Sequence, residues 1–221
     1  MICYGLTGKT GAGKSTAAAW LRDKGWYVID GDLLAREIML PGSPVLRRIA
    51  DAFGEDLLLP DGNLNRKGLV QRLRETPDGA LDRKALVDRL HDLPCGVETL
   101  NAITHPAIDA LVEAELEAAE QAGYTHCVFD AAALLESPSK ARCDKIIVVT
   151  APEDVRLQRI LARDGLTIGQ AFSRMAMQKD DDWYLSQADI VIRNYPPYTL
   201  EEELSNQVIP WQTETPDENE D

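Results

Sequence analysis

Little in this chain suits covalent cross-linking, metal ligation or a membrane. Only four cysteines occur, Cys3, Cys95, Cys127 and Cys143. They form no CxxC pair and show no metal-ligand spacing, which excludes a disulfide scaffold and a structural zinc site and fits reduced thiols. No apolar run approaches the ~18 residues that a membrane-spanning helix needs. The opening MICYGLTGKT lacks a basic stretch followed by an apolar segment of about 7 to 15 residues, so it does not read as a secretion signal and the protein is expected in the cytoplasm. Positive charge is scarce as well: 23 Lys and Arg stand against 37 Asp and Glu, a net charge of -14. Nucleic-acid binding, which rests on clustered basic residues, is therefore not expected. A small polyanion held by a few amides and cations in one cleft remains compatible with that field.

What is present points to a globular α/β protein. The 221 residues, 44% of them hydrophobic, suffice for one good core with inserts. Apolar runs at ICYGL, WYVID, HCVFDAA, KIIVVTA and DIVIRN alternate with helical patterns, at about 14–24, 32–40, 43–53, 101–122, 153–163 and 167–178. That alternation predicts a parallel sheet covered on both faces. Residues 64–80, LNRKGLVQRLRETPDGA, are followed at once by 81–97, LDRKALVDRLHDLPCGV, with about half the aligned positions identical. Two copies are too few for a solenoid, so this is read as a tandem duplication of one helical segment, tolerated beside the core or used for a partner. The end, TETPDENED at 213–221, has almost no apolar content and is expected to be a disordered acidic tail.

The strongest signal is GLTGKTGAGKST, residues 5–16. Gly8, Gly13, Lys14 and Ser15 fit G-x-x-x-x-G-K-[ST], and the stretch lies between an expected strand and an Ala-rich helical run. The chemistry requires that placement, because amides of the turn and of the helix start converge on one anion and the helix dipole favours it. Lys14 would neutralise the β and γ phosphates and Ser15 would ligate Mg²⁺. Thr16 is open between a ligand and an ordinary helix residue, and Lys9 between loop charge and solvent. A guanine-reading N-K-x-D segment is missing, which removes the GTPase reading.

After the first helix, WYVIDGDLLAREI places Asp30 at a strand end and Asp32 one glycine later. A carboxylate there can accept the proton of an attacking hydroxyl or hold Mg²⁺ through water. Equally, either residue can simply cap the next helix. Arg36, one turn on, can pair with Asp32 or meet a substrate phosphate. Asp130, ending HCVFD, is open between a metal-side acid and a buried structural aspartate.

The order GLTGKTGAGKST, VIDGDLLARE, DAFGEDLL, LNAITHPAI, LLES, CDKIIVV, RILARDG, Gln178 and ADIVIRN resembles the dephospho-CoA kinases, from about residue 2 to about 194. That family passes the ATP γ-phosphate to the ribose 3′-hydroxyl of dephospho-CoA. The resemblance implies a P-loop NTPase-type, five-stranded parallel sheet with helices on both faces, plus helical acceptor-binding and lid regions. It implies a nucleotide-binding core at 1–31, 124–153 and 186–212, an acceptor side at 32–123, a lid at 154–185, and ATP, Mg²⁺ and dephospho-CoA as ligands. Gly8 and the run Gly11, Ala12, Gly13, Lys14, Ser15 and Thr16 would then hold ATP, with Ser15 on the metal and Asp32 as base. Arg36, His105, Arg163 and Arg174 would serve the substrates, and Arg159 the moving phosphoryl group. Read alone, His105 is as well a helix-capping or buried histidine, and the arginines a solvated helix stripe.

Three departures from the family pattern stand out: the duplicated segment, DAAALLE where many members have D-x-P-L-L-F-E, and the acidic KDDDW after Gln178. They motivate two rivals, a catalytically weakened ATP-binding regulator and an interaction protein using the duplicated helices and the tail. A kinase of the same architecture acting on another nucleoside or nucleotide is a third.

Overall fold

The computed structural model describes residues 1–75 and 96–210. The acidic tail and almost all of the second repeat copy lie outside those residues. Five strands, β1 (Ile2–Thr7), β2 (Tyr27–Asp30), β3 (His126–Asp130), β4 (Lys145–Thr150) and β5 (Ile190–Arg193), lie in the order β2-β3-β1-β4-β5. Every neighbouring pair is parallel. β3 buries all of its residues and β4 its whole central run. Strands that are apolar on both faces need cover on both, and helical crossovers supply it. The five apolar runs named above are the five strands.

Central β1 is where the winding reverses: the chain goes first to β2 and β3 on one side, then to β4 and β5 on the other. Such a reversal opens a crevice beyond the carboxyl ends of the strands. The phosphate loop follows β1 into that crevice, and Asp130 ends the adjacent β3.

The helix Lys14–Asp23 covers the sheet through Ala17, Ala18 and Leu21, which are buried with Tyr4, Leu6, Val128, Ile147, Val149 and Ile192. Its alanines combine high helix propensity with small volume, so the helix packs closely. Removing Leu21 from water contributes about 1.5–3 kcal/mol. The helix stops at Lys24, whose N–H returns to the Trp20 and Leu21 carbonyls. On the same core lies the helix Leu200–Gln207, opened by Thr199, whose hydroxyl accepts the Glu202 N–H at 3.3 Å. Three further helices, Glu153–Asp164, Ile168–Ala176 and Asp181–Leu185, run between β4 and β5. Thr167 and Gln170 start the second of these with a reciprocal capping box.

The described residues group into two compact units, Met1–Asp32 with the chain from Ala114 onward, and Leu33–Glu113. The second unit has its own core of Ile38, Leu46, Ile49, Phe53, Leu57, Leu69 and Ile103. Its helix Pro44–Phe53 begins at Ser43, whose hydroxyl accepts the Val45 N–H at 3.1 Å, with Pro44 where a missing N–H costs nothing. The helix Arg66–Glu75 falls within the first repeat copy. Among the described residues no helix is long and apolar enough to cross a membrane.

Candidate active site

The loop from Gly8 to Gly13 is shaped by what lies behind it. Gly13 is the N-cap of the helix Lys14–Asp23 at φ +106, a left-handed conformation that side chains resist, and a Cβ there would collide with the Asn194 amide. Gly11, at φ +81, sits so close to Arg156 that a Cβ would come within 2.7 Å of its carbonyl oxygen. The carbonyl side of the loop is bonded to the protein: Ala12 O accepts from Asn194 Nδ2 at 2.8 Å and from Arg159 Nη1 at 3.2 Å. Arg159 also reaches Gly11 O at 3.3 Å and Asn194 O at 2.8 Å. Lys9 O accepts the Ala12 N–H and Gly13 O the N–H groups of Thr16 and Ala17. With those carbonyls engaged, the N–H groups of Lys14 and Ser15, the first two of the helix, are the donors it offers to an anion.

Lys14 Nζ is ion-paired with Asp130 Oδ1, and both side chains are largely buried. Asp130 stands at the carboxyl end of β3, in register with Asp30 of β2 and Leu6 of β1. Burial pushes the Asp130 carboxyl above its ordinary range, the Lys14 ammonium opposes that, and the Asp30 and Asp32 charges add to it. Three carboxylates and one ammonium thus gather at one edge of the sheet. Asp32 is exposed in the first turn of the helix Gly31–Glu37, an acid where a helix start favours one. Ser15 and Thr16 are exposed in the first turn of the loop helix.

The remaining residues named from sequence distribute as follows. Arg163 and Arg174 are exposed and converge on Asp164, at 2.7 Å from Arg163 Nε and 2.5 Å from Arg174 Nη1. Hydrogen bonds from Arg163, then Arg174, hold the Asp164 carboxyl down at about 2. Arg36, exposed in the last turn of Gly31–Glu37, and His105, half-buried in the helix Gly96–Gln121 next to Pro106, belong to the second unit.

The acidic KDDDW run is built into the fold. Asp180 caps the helix Asp181–Leu185 by accepting the Trp183 N–H at 2.8 Å, and Asp181 pairs with Lys9 at 2.9 Å. Asn194 and Gln178 are both bonded to the loop, a role that the sequence pattern alone does not give them. Asn194 ends ADIVIRN and Gln178 follows a helix, but an amide side chain carries no spacing signal of its own.

A family model for dephospho-CoA kinase matches residues 2–77 and 73–197. The two matches meet inside the first repeat copy. The chain is 39% identical over 197 residues to the dephospho-CoA kinase of Corynebacterium efficiens, covering 89% of this chain and 90% of that one. It is 40% identical over 194 residues to that of Syntrophotalea carbinolica, covering 88% and 84%. Among solved structures it is similar to a Thermus thermophilus protein at TM-score 0.64 and 26% identity, over 97% of this chain and 98% of that one. The fold is also shared with the dephospho-CoA kinase of Campylobacter jejuni, at TM-score 0.59 and 22% identity over 95% and 96% of the chains.

Proposed function

The chain belongs to the dephospho-CoA kinase family and is an ATP-dependent phosphotransferase of coenzyme A biosynthesis, and from that premise we propose how its residues divide the transfer. The observation that carries the assignment is the placement of Lys14 against Asp130 beside Asp30 and Asp32, at the mouth of a loop whose carbonyls are tied back. ATP binds in the loop of residues 11–16, with its phosphates on the amides of Gly11, Gly13, Lys14 and Ser15 and its β and γ oxygens on Lys14. Asp32 accepts the 3′-hydroxyl proton of dephospho-CoA as the hydroxyl attacks the γ-phosphorus in line, and ADP leaves. Arg163 and Arg174, on the segment 154–185, close as a lid that stabilises charge on the moving group and excludes water. Arg159 supports the loop from behind, through its carbonyls. On the second unit, Arg36 and His105 are the acceptor-side candidates.

The donors gathered here fit magnesium, a hard cation: the Ser15 hydroxyl and the carboxylates at the sheet edge are all oxygen ligands. When bound, that ion would neutralise charge between the β and γ phosphates. The protein is assigned to the cytoplasm, where both substrates are small soluble molecules. Structural partners for Asp180 and Asp181 weaken the case for a disabled regulator, because the acids that would repel a polyphosphate serve a helix cap and Lys9.

The test is ATP-dependent conversion of dephospho-CoA to CoA, detected as product. The wild type should turn over, and Asp32→Asn should lose about a hundredfold or more, the range of a positioned general base, while still binding ATP. A wild type that binds ATP and makes no CoA overturns the acceptor; an Asp32→Asn that retains full rate overturns the base.

A further inference from the structure

We infer that Gln178 is a positioning residue of the phosphate loop, through which the segment 153–185 sets the loop's affinity for ATP. This rests on reading the loop as the ATP site. Gln178 Oε1 accepts the Thr10 N–H at 2.8 Å across 168 positions of sequence. Since an N–H can only donate, the oxygen of the amide must face Thr10, and the NH₂ group is left for its other neighbour. Tyr184, 6% exposed, is the buried group beside it, and the Gln178 amide opposes the rise that burial gives the Tyr184 hydroxyl. The Thr10 contact fixes which way the amide faces.

Gln178 does not act alone on the loop. Four consecutive loop residues are gripped from this one segment: Lys9 by Asp181, Thr10 by Gln178, and Gly11 and Ala12 by Arg159. Among these grips, Gln178 is the only one that engages a backbone amide. An amide left unsatisfied at Thr10 would let the turn rotate and misalign its neighbours, which must all converge on the phosphates for the anion site to exist. A neutral side chain suits the place, since a carboxylate acceptor would set a negative charge beside a polyphosphate. The consequence is directional: losing the contact should cost affinity for ATP, with the effect on KM for ATP and not on kcat at saturation.

The experiment is titration of ATP, with Mg²⁺ in excess and no acceptor present, into wild type, Gln178→Leu and Gln178→Asn, alongside thermal melts and steady-state rates. Gln178→Leu should raise the ATP Kd and KM about tenfold, the scale of one hydrogen bond plus the amide it strands. Gln178→Asn keeps an amide on a stem one methylene shorter, which no longer reaches the Thr10 N–H, and should raise Kd to a similar extent. A lowered melting temperature with unchanged Kd would make Gln178 merely structural and overturn the inference. So would a loss confined to kcat. If Gln178→Leu does not fold, an unchanged Kd in Gln178→Asn is decisive against it. Because the titration needs no acceptor, it stands apart from the reaction: a wild type that binds ATP and makes no CoA would refute the kinase reading and leave Gln178 to be judged by Kd.

Discussion

Lys14 and Asp130, 116 positions apart in sequence, meet as an ion pair at the carboxyl edge of the sheet. The helix start and the strand end that carry them are brought together by parallel pairing of β1 with β3. Lys14 is thereby held where phosphates are expected, by a carboxylate that has given up water to hold it. The cost of that desolvation outweighs the attraction of the ammonium, since the Asp130 carboxyl is raised above its ordinary range.

That raised value has a sign that can be measured. The folded protein binds the Asp130 proton more tightly than the unfolded chain does, so Asp130 withdraws stability as pH rises from about 4, the ordinary carboxylate range, through its raised value. Asp130→Asn cannot ionise and removes this slope. Urea unfolding of both proteins between pH 4 and 7 should show the variant gaining on the wild type as pH rises. Parallel curves would mean that Asp130 titrates alike in both states.

Gly13 is constrained twice, by its φ of +106 and by Asn194 against its α-carbon. Gly13→Ala therefore meets both backbone strain, of order 1–3 kcal/mol, and a collision. Asn194→Ala opens the space but leaves the strain, and it also gives up the bond to Ala12 O. The double variant is expected to recover part of the stability lost by Gly13→Ala and none of its ATP affinity. Full recovery of binding would show that space alone decides the residue.

The parts of this site that sequence makes legible are those where the chemistry imposes spacing. G-x-x-x-x-G-K-S must be spelled in order, because one turn presents all its amides. The strands are legible because cover on both faces turns each into an unbroken apolar run. Rotation of a helix is not legible in that way. Arg156, Arg159 and Arg163 share one stripe by spacing, yet Arg156 is 2% exposed with its Nε on Ala151 O, Arg159 grips the loop, and Arg163 faces solvent beside Asp164. Packing, not periodicity, sorts them. The short helix Asp181–Leu185 was hidden for another reason: three consecutive acids look like a charged loop until Asp180 is seen capping and Asp181 pairing.

Those three arginine environments separate a loop support from a charge clamp. Arg159 spans the carbonyls of Gly11, Ala12 and Asn194 from one half-buried guanidinium. Arg159→Gln should cost about 1–3 kcal/mol, as hydrogen bonds from a charged donor do, and lower the melting temperature by several degrees at about 2–4 °C per kcal/mol. Arg159→Lys should not restore it, because a compact ammonium cannot reproduce the planar fork. Arg163→Gln and Arg174→Gln remove exposed charges whose ion pairs with Asp164 are screened by solvent, so their melts should stay near wild type while kcat falls. Melting temperature and kcat for the three variants, read together, decide the matter. An Arg159→Gln protein that melts like the wild type but loses turnover would place that guanidinium on the transferring phosphoryl group and not behind the loop.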